Sequence, residues 1–214
     1  MIEPTRIIAI RHGETAWNVA TRIQGQLDIG LNAMGRQQAR RVALALATES
    51  IEAIYSSDLL RAWDTAISIG DAVNTPVQTV TALRERGFGM FEGKTFQQIN
   101  ELWPEEAKRW RQRDPAYAPD GGESLLAFRD RVIAEVNRLA VAHAGAQIAM
   151  VAHGGVMDVL YRAATRQEIQ APRTWDLGNA TINRLLWTPE GLTIVGWADN
   201  HHLEDINALD EPSA

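Results

Sequence analysis

The chain has 214 residues, a length that suits one α/β domain with at most a small cap, and its 45% hydrophobic content supplies a sizeable core. A net charge of −6, from 21 basic and 27 acidic residues, argues against a general nucleic-acid-binding surface, and the lack of cysteine excludes disulfides, zinc ribbons and thiol catalysis. Met1-Ile-Glu-Pro-Thr5 has no basic stretch followed by a long apolar one, and no stretch approaches a membrane span, so a soluble, cytoplasmic protein with no membrane partner is expected.

Thr5–Ile10 is β-branched and apolar and predicts a buried strand. Ala33–Ala47 reads as helix and Ala53–Ser56 as a short strand. Asp58 is placed as the N-cap of a helix over Leu59–Val73. Pro76–Val80 is another strand, and Leu83–Gly93, with three glycines, a loop. Phe96–Arg113 reads as helix interrupted at Pro104, and Asp114–Gly122 as loop. Glu123–Ala142 carries Leu125, Phe128, Val132, Val136 and Leu139 at helical spacing. Ile148–Ala152 is an apolar strand, Gly154-Gly155 a turn and Val156–Ala164 a helix. Thr181–Thr188 and Leu192–Trp197 flank Pro189-Glu190-Gly191, which predicts a hairpin. Alternating strands and helices predict an α/β, three-layer α/β/α fold: a mostly parallel central sheet, helices on both faces and an antiparallel edge hairpin. Residues 1–203 read as one domain, with 96–122 as a possible lid and 204–214 as an acidic tail.

Ligands of such sheets bind outside the carboxyl ends of the strands. His12 follows the first strand directly and His153 follows Ile148–Ala152 directly, so both are expected at one sheet edge. Each precedes glycine, which permits a tight turn and leaves backbone N–H groups free. Arg61 sits in the first turn of a helix, where the macrodipole disfavours a cation. It is either an exposed partner of Asp64 or an anion-binding group. Arg11, His12, Arg61 and His153 together make a cationic cluster in an acidic chain. Guanidinium forks match phosphate oxygens, and a neutral imidazole can carry a phosphoryl group covalently.

"RHGETAWN", "SSDLLRAWDTA", "LRERGFGMFEGKT" and "VAHGG" occur in that order between Ile8 and Gly155. This set resembles the histidine phosphatase superfamily, the phosphoglycerate mutase-like proteins, with Asn179 and His202-Leu203 echoing its tail. The resemblance implies the sheet and helix architecture above. It implies His12 as phosphorylated nucleophile, with Arg11, Arg61 and His153 as the phosphate pocket. It places Asn18, Gln24, Gly25 and Gly154 on the substrate and phosphate side, and makes Glu85 the acid that protonates the leaving group. From composition alone Glu85 is a loop glutamate between Arg84 and Arg86, with Glu92 as a rival judged structural.

No HExxH motif accompanies His12 and His153, so neither a metal nor a cofactor is expected. Trp17 is placed near the pocket mouth. His201 and His202 receive no chemistry. The basic run Lys108–Arg113 is read as a solvated helix face, the sharper reading being contact with a second anionic group of a substrate. The expected activity is a phosphatase acting on a small phosphorylated metabolite. Its alternatives are a 2,3-bisphosphoglycerate-dependent phosphoglycerate mutase and a non-catalytic phosphate-binding module. Mutases of the family have Glu-Arg-His-Tyr-Gly at the acid, whereas Gly87 and Phe88 follow Glu85-Arg86 here, which favours the phosphatase.

Overall fold

The computed structural model describes residues 2–204 and 206; the expected acidic tail otherwise lies outside the described residues. Six strands form one sheet in the order β3-β2-β4-β1-β5-β6. They are β1 (Thr5–Arg11), β2 (Ala53–Ser56), β3 (Val77–Thr79), β4 (Gln147–Ala152), β5 (Ile182–Thr188) and β6 (Gly191–Asp199). The pairs β1–β4, β2–β4 and β2–β3 are parallel, and β1–β5 and β5–β6 antiparallel. The mostly parallel sheet with an edge hairpin is as the sequence predicts.

Helices α2 (Ala33–Leu46), α3 (Leu60–Val73), α6 (Leu125–Ala142) and α7 (Gly154–Thr165) cover the two faces, while α1 (Ala16–Val19) is a single turn. The period-2 alternation of β1 divides the core. Ile7 and Ala9 join Phe128 and Met157 of α6 and α7 on one face. Ile8 and Ile10 join Val42 and Ile69 of α2 and α3 on the other. Strands buried on both faces explain why β1 and β4 read as apolar runs. Among the described residues no helix is long and apolar enough to cross a membrane.

Two local expectations are corrected. Asp58 does not cap α3: its carboxylate is gripped by Arg84, Nε to Oδ1 at 2.7 Å and Nη2 to Oδ2 at 2.6 Å. A bidentate charge-assisted pair outcompetes a single cap bond. The Leu60 N–H instead donates to Asp28 Oδ1 at 2.7 Å, so a distant loop supplies the cap. Gly154-Gly155 is not a turn but the opening of α7, with His153 as its extended N-cap residue. The glycines serve close approach there: a Cβ on Gly155 would lie 2.1 Å from Glu85 Oε1.

Pro104 divides the 96–122 segment into α4 (Phe96–Leu102) and α5 (Pro104–Arg111), and Trp103 ends one helix and begins the next. These helices sit on a separate apolar cluster built around Phe91, Ile99 and Tyr117. The loop after β1 is fixed by close backbone approach. A Cβ on Gly35 of α2 would lie 2.0 Å from the Glu14 carbonyl oxygen. Gly35→Ala is therefore expected to lower stability by about 1–3 kcal/mol through overpacking. Urea unfolding measures it, and a wild-type midpoint would refute the close-approach argument.

Candidate active site

The site begins where β1 and β4 end. Arg11 is in register with Ala152, and the His12 N–H donates to the Ala152 carbonyl at 3.0 Å. Both histidines are buried, and their rings stand 5.2 Å apart, edge to face. His12 Nδ1 lies 2.7 Å from the Gly13 carbonyl oxygen. A carbonyl only accepts, so Nδ1 carries the proton and Nε2 keeps its lone pair. Asn179 Nδ2 donates to the His12 carbonyl at 3.0 Å.

His153 Nε2 lies 2.8 Å from Ser57 Oγ. Ser57 Oγ also accepts the Leu59 N–H at 3.3 Å, and no other acceptor faces its hydroxyl among the described residues. The buried Ser57 hydroxyl is satisfied only by donating to His153 Nε2. That puts the proton of neutral His153 on Nδ1. Burial holds both imidazoles well below their ordinary pKa; Arg11 and Arg61 add to this, each histidine with its own ordering of the two.

Arg61, in the first turn of α3, is 1% exposed. Its Nη1 donates to the Leu27 carbonyl at 2.8 Å and its Nη2 to the Gly25 carbonyl at 2.7 Å, which settles the choice against an exposed Asp64 partner. Burial lowers its pKa to about 10, so it stays charged at neutral pH. Arg11 Nη1 donates to the Leu177 carbonyl. Arg11 Nε, Arg61 Nε and His153 Nδ1 are buried without a partner among the described residues. Leaving a buried donor unpaired costs about 1–3 kcal/mol. Three such donors beside one imidazole lone pair suit the oxygens of a tetrahedral anion.

Glu85 stands at the rim. Its Oε1 accepts the Arg86 N–H at 2.8 Å and its Oε2 the Gly155 N–H at 3.0 Å. Neither flanking arginine pairs with it: Arg84 holds Asp58, and Arg86 donates to the carbonyls of Glu123 and Tyr117. Its carboxyl group lies within electrostatic reach of both Arg11 and Arg61. Glu92 Oε1 accepts the N–H groups of Gln26 and Phe88, each at 3.0 Å, and so ties two loops together.

Asn18, Gln24 and Gly25 line a cavity of about 330 Å³ with Arg11, His12 and Trp17. Asn18 Oδ1 closes the capping box of α1 by accepting the Thr15 N–H at 3.0 Å. Gln24 Oε1 lies 3.0 Å from the Thr15 hydroxyl. The carbonyl of Gly25 is occupied by Arg61, and a Cβ on Gly154 would lie 3.4 Å from Arg11 Nε. His201 pairs with Asp199, and His202 bonds the Ala180 carbonyl. Among the described residues no three His, Asp or Glu side chains are grouped as metal ligands.

Residues 7–200 match the model of the histidine phosphatase superfamily (branch 1). The chain belongs to the histidine phosphatase superfamily. It is 38% identical to the phosphoglycerate mutase-like protein 4 of Arabidopsis thaliana, over 97% of this chain and 91% of that one. It is 36% identical to the metal-independent phosphoserine phosphatase of the same plant, over 97% of this chain and 87% of that one. Among solved structures, a mycobacterial glucosyl-3-phosphoglycerate phosphatase complexed with VO3 superposes with a TM-score of 0.82 at 33% identity, covering 91% of this chain and 99% of that one.

Sequence reading of this superfamily member missed Ser57. The signal was available, since Ser57 follows β2 as His12 follows β1 and lies within the SSDLLRAWDTA stretch, but only its contact with His153 gives it a role. The two buried histidines also set a pH dependence. Their folded pKa lies below the unfolded value near 6.5, so between the two the unfolded chain binds more protons. Stability is complete above pH 6.5 and falls as the pH drops through it, each histidine adding up to about 1.4 kcal/mol per pH unit. His12→Asn is expected to flatten the slope between pH 7.5 and 5.5 by about half a proton on average, approaching one proton at the acid end. Denaturant titrations across that range measure it, and an unchanged slope refutes the buried neutral state.

Proposed function

We propose that this chain hydrolyses small phosphate monoesters through a covalent phosphohistidine on His12. The observation that supports this is the Nε2 lone pair of a neutral, buried imidazole beside three unpaired buried donors. Arg11, Arg61 and His153 Nδ1–H take the oxygens of the phosphoryl group and stabilise the charge spread over them in the transition state. Nε2 attacks phosphorus, the N–P bond forms and the P–O bond to the leaving group breaks. The Glu85 carboxyl gives its proton to the departing oxygen. In the second half, the Glu85 carboxylate takes a proton from water, whose oxygen attacks phosphorus. The N–P bond breaks and phosphate leaves with His12 neutral again. The positive charge comes from two guanidiniums, and no step is assigned to a metal.

Phosphohistidine is labile in acid and survives base. Enzyme quenched during turnover of a labelled monoester is expected to lose label in acid and keep it in base, and His12→Ala to lose turnover. Label that survives acid, or a near-normal His12→Ala, overturns the assignment. Isomerisation of 3-phosphoglycerate outrunning hydrolysis of every monoester tenfold would instead establish the mutase.

Glu85→Gln is expected to slow alkyl phosphates by about 10²–10⁴-fold and aryl phosphates with good leaving groups much less, since these need little protonation. Steady-state kinetics on one ester of each kind checks this. Equal losses on both would remove Glu85 from the acid role.

A further inference from the structure

A second cavity, of about 440 Å³, opens on the far side of Glu85. It shares Glu85, Phe88, Phe96 and Trp110 with the cavity over His12. A leaving group whose bridging oxygen meets Glu85 therefore extends into it. One wall is aromatic: Phe96 stacks on Trp110 at 5.0 Å, and Phe88 meets Trp110 edge-on at 5.9 Å. Phe96 is 59% exposed, which leaves its ring accessible to a ligand in the cavity.

The charges of this cavity do not balance. Asp158 Oδ2 is taken by Arg113 and Arg162, both at 3.0 Å, while its Oδ1 is buried with no partner among the described residues. Among the described residues Arg111 bonds only the neutral amide of Asn100. Arg173 makes no hydrogen bond or ion pair among the described residues, yet it acts electrostatically on both Arg11 and Arg113. Arg111 and Arg173 thus line the cavity with no ion pair of their own among the described residues, while Glu85 is held by the Arg86 and Gly155 N–H groups, and a ligand anion would relieve the repulsion between the cations.

We propose that the second cavity is the leaving-group subsite, and that it selects monoesters whose leaving group carries a carboxylate on an apolar or aromatic body, with Arg173 as the residue that reads the carboxylate. The body lies against Phe88, Phe96 and Trp110, and Arg111 supplies the second cation. A small polar leaving group would leave the aromatic wall wet and use only half of the subsite. The inference rests on the phosphomonoesterase reading above.

The test uses three aryl phosphates of matched leaving-group acidity: the phosphate esters of 4-propylphenol, of 3-(4-hydroxyphenyl)propanoic acid and of 4-(3-aminopropyl)phenol. The expected kcat/KM order is carboxylate, neutral, ammonium, with at least tenfold between the first two. In Arg173→Ala that ratio is expected to fall to within twofold, and in Arg173→Glu to invert. Each ratio is taken within one variant, so a general loss of activity cancels. A wild-type ratio near one, or a ratio unchanged in Arg173→Ala, overturns the subsite. If none of the three releases phosphate, the phosphatase reading fails, and the subsite is judged by calorimetry of the same esters on His12→Ala. There, a tenfold tighter carboxylate ester whose advantage vanishes in His12→Ala/Arg173→Ala supports it. Equal affinities refute it.

Discussion

The parallel ladder on both sides of β4 is the constraint from which the site follows. Each neighbouring strand hands one more N–H to β4 beyond its own end: His12 to the Ala152 carbonyl and Ser57 to the Val151 carbonyl, both at 3.0 Å. His12, Ser57 and His153 are thereby brought side by side from chain positions far apart. A one-residue slip in either pairing would turn the strand's apolar residues to the wrong face, so burial of the core fixes the site's register. The geometry of the site is in this sense a by-product of core packing.

Holding two arginines near two histidines raises a second problem, because carboxylate partners would cancel the field. The solution is visible in what the guanidiniums bind. Arg61 is anchored by the carbonyls of Gly25 and Leu27, and Arg11 by that of Leu177. Carbonyl dipoles fix the side chains without neutralising them. Arginines with structural roles are treated differently: Arg84 is paired with Asp58 and Arg131 with Glu123. The un-neutralised pair, with burial, keeps both imidazoles uncharged, which is the state a nucleophile needs. One arrangement thus supplies a field that suits an anion and, beside it, an imidazole with a free lone pair.

The sequence was most legible where periodicity and position carried the signal. The apolar runs of β1 and β4, and the histidines that follow them, predicted both the sheet and the meeting of His12 with His153. It was least legible where a partner came from far along the chain. Nothing near Asp58 says that Arg84 will take its carboxylate, nor that Asp28 will cap α3 in its place. Gly154-Gly155 read as a turn because the Glu85 carboxylate that crowds Gly155 lies 70 residues away. Ser57 escaped notice because its role exists only through His153. The choice at Arg61, open in sequence, needed two backbone carbonyls to decide it.

Glu85 joins two parts of the molecule built by different rules. Arg11, His12, Arg61 and His153 stand at strand ends and at the starts of α3 and α7, where the core leaves little freedom. The second cavity is walled partly by Leu125, Phe128 and Asp158 of α6 and α7, and partly by Phe96, Trp110 and Arg173 of α4, α5 and the loop after α7; of these, α4 and α5 pack on a separate apolar cluster. Changes in those segments need not disturb β1 or β4. Glu85 is tied to the rigid side, through the Gly155 N–H at the head of α7, while its carboxylate opens toward the adaptable one. Under the proposed mechanism, a proton donor on that boundary would act on whatever oxygen the second cavity presents. Substrate choice can then shift with loop residues while the phosphoryl chemistry stays fixed on the strands.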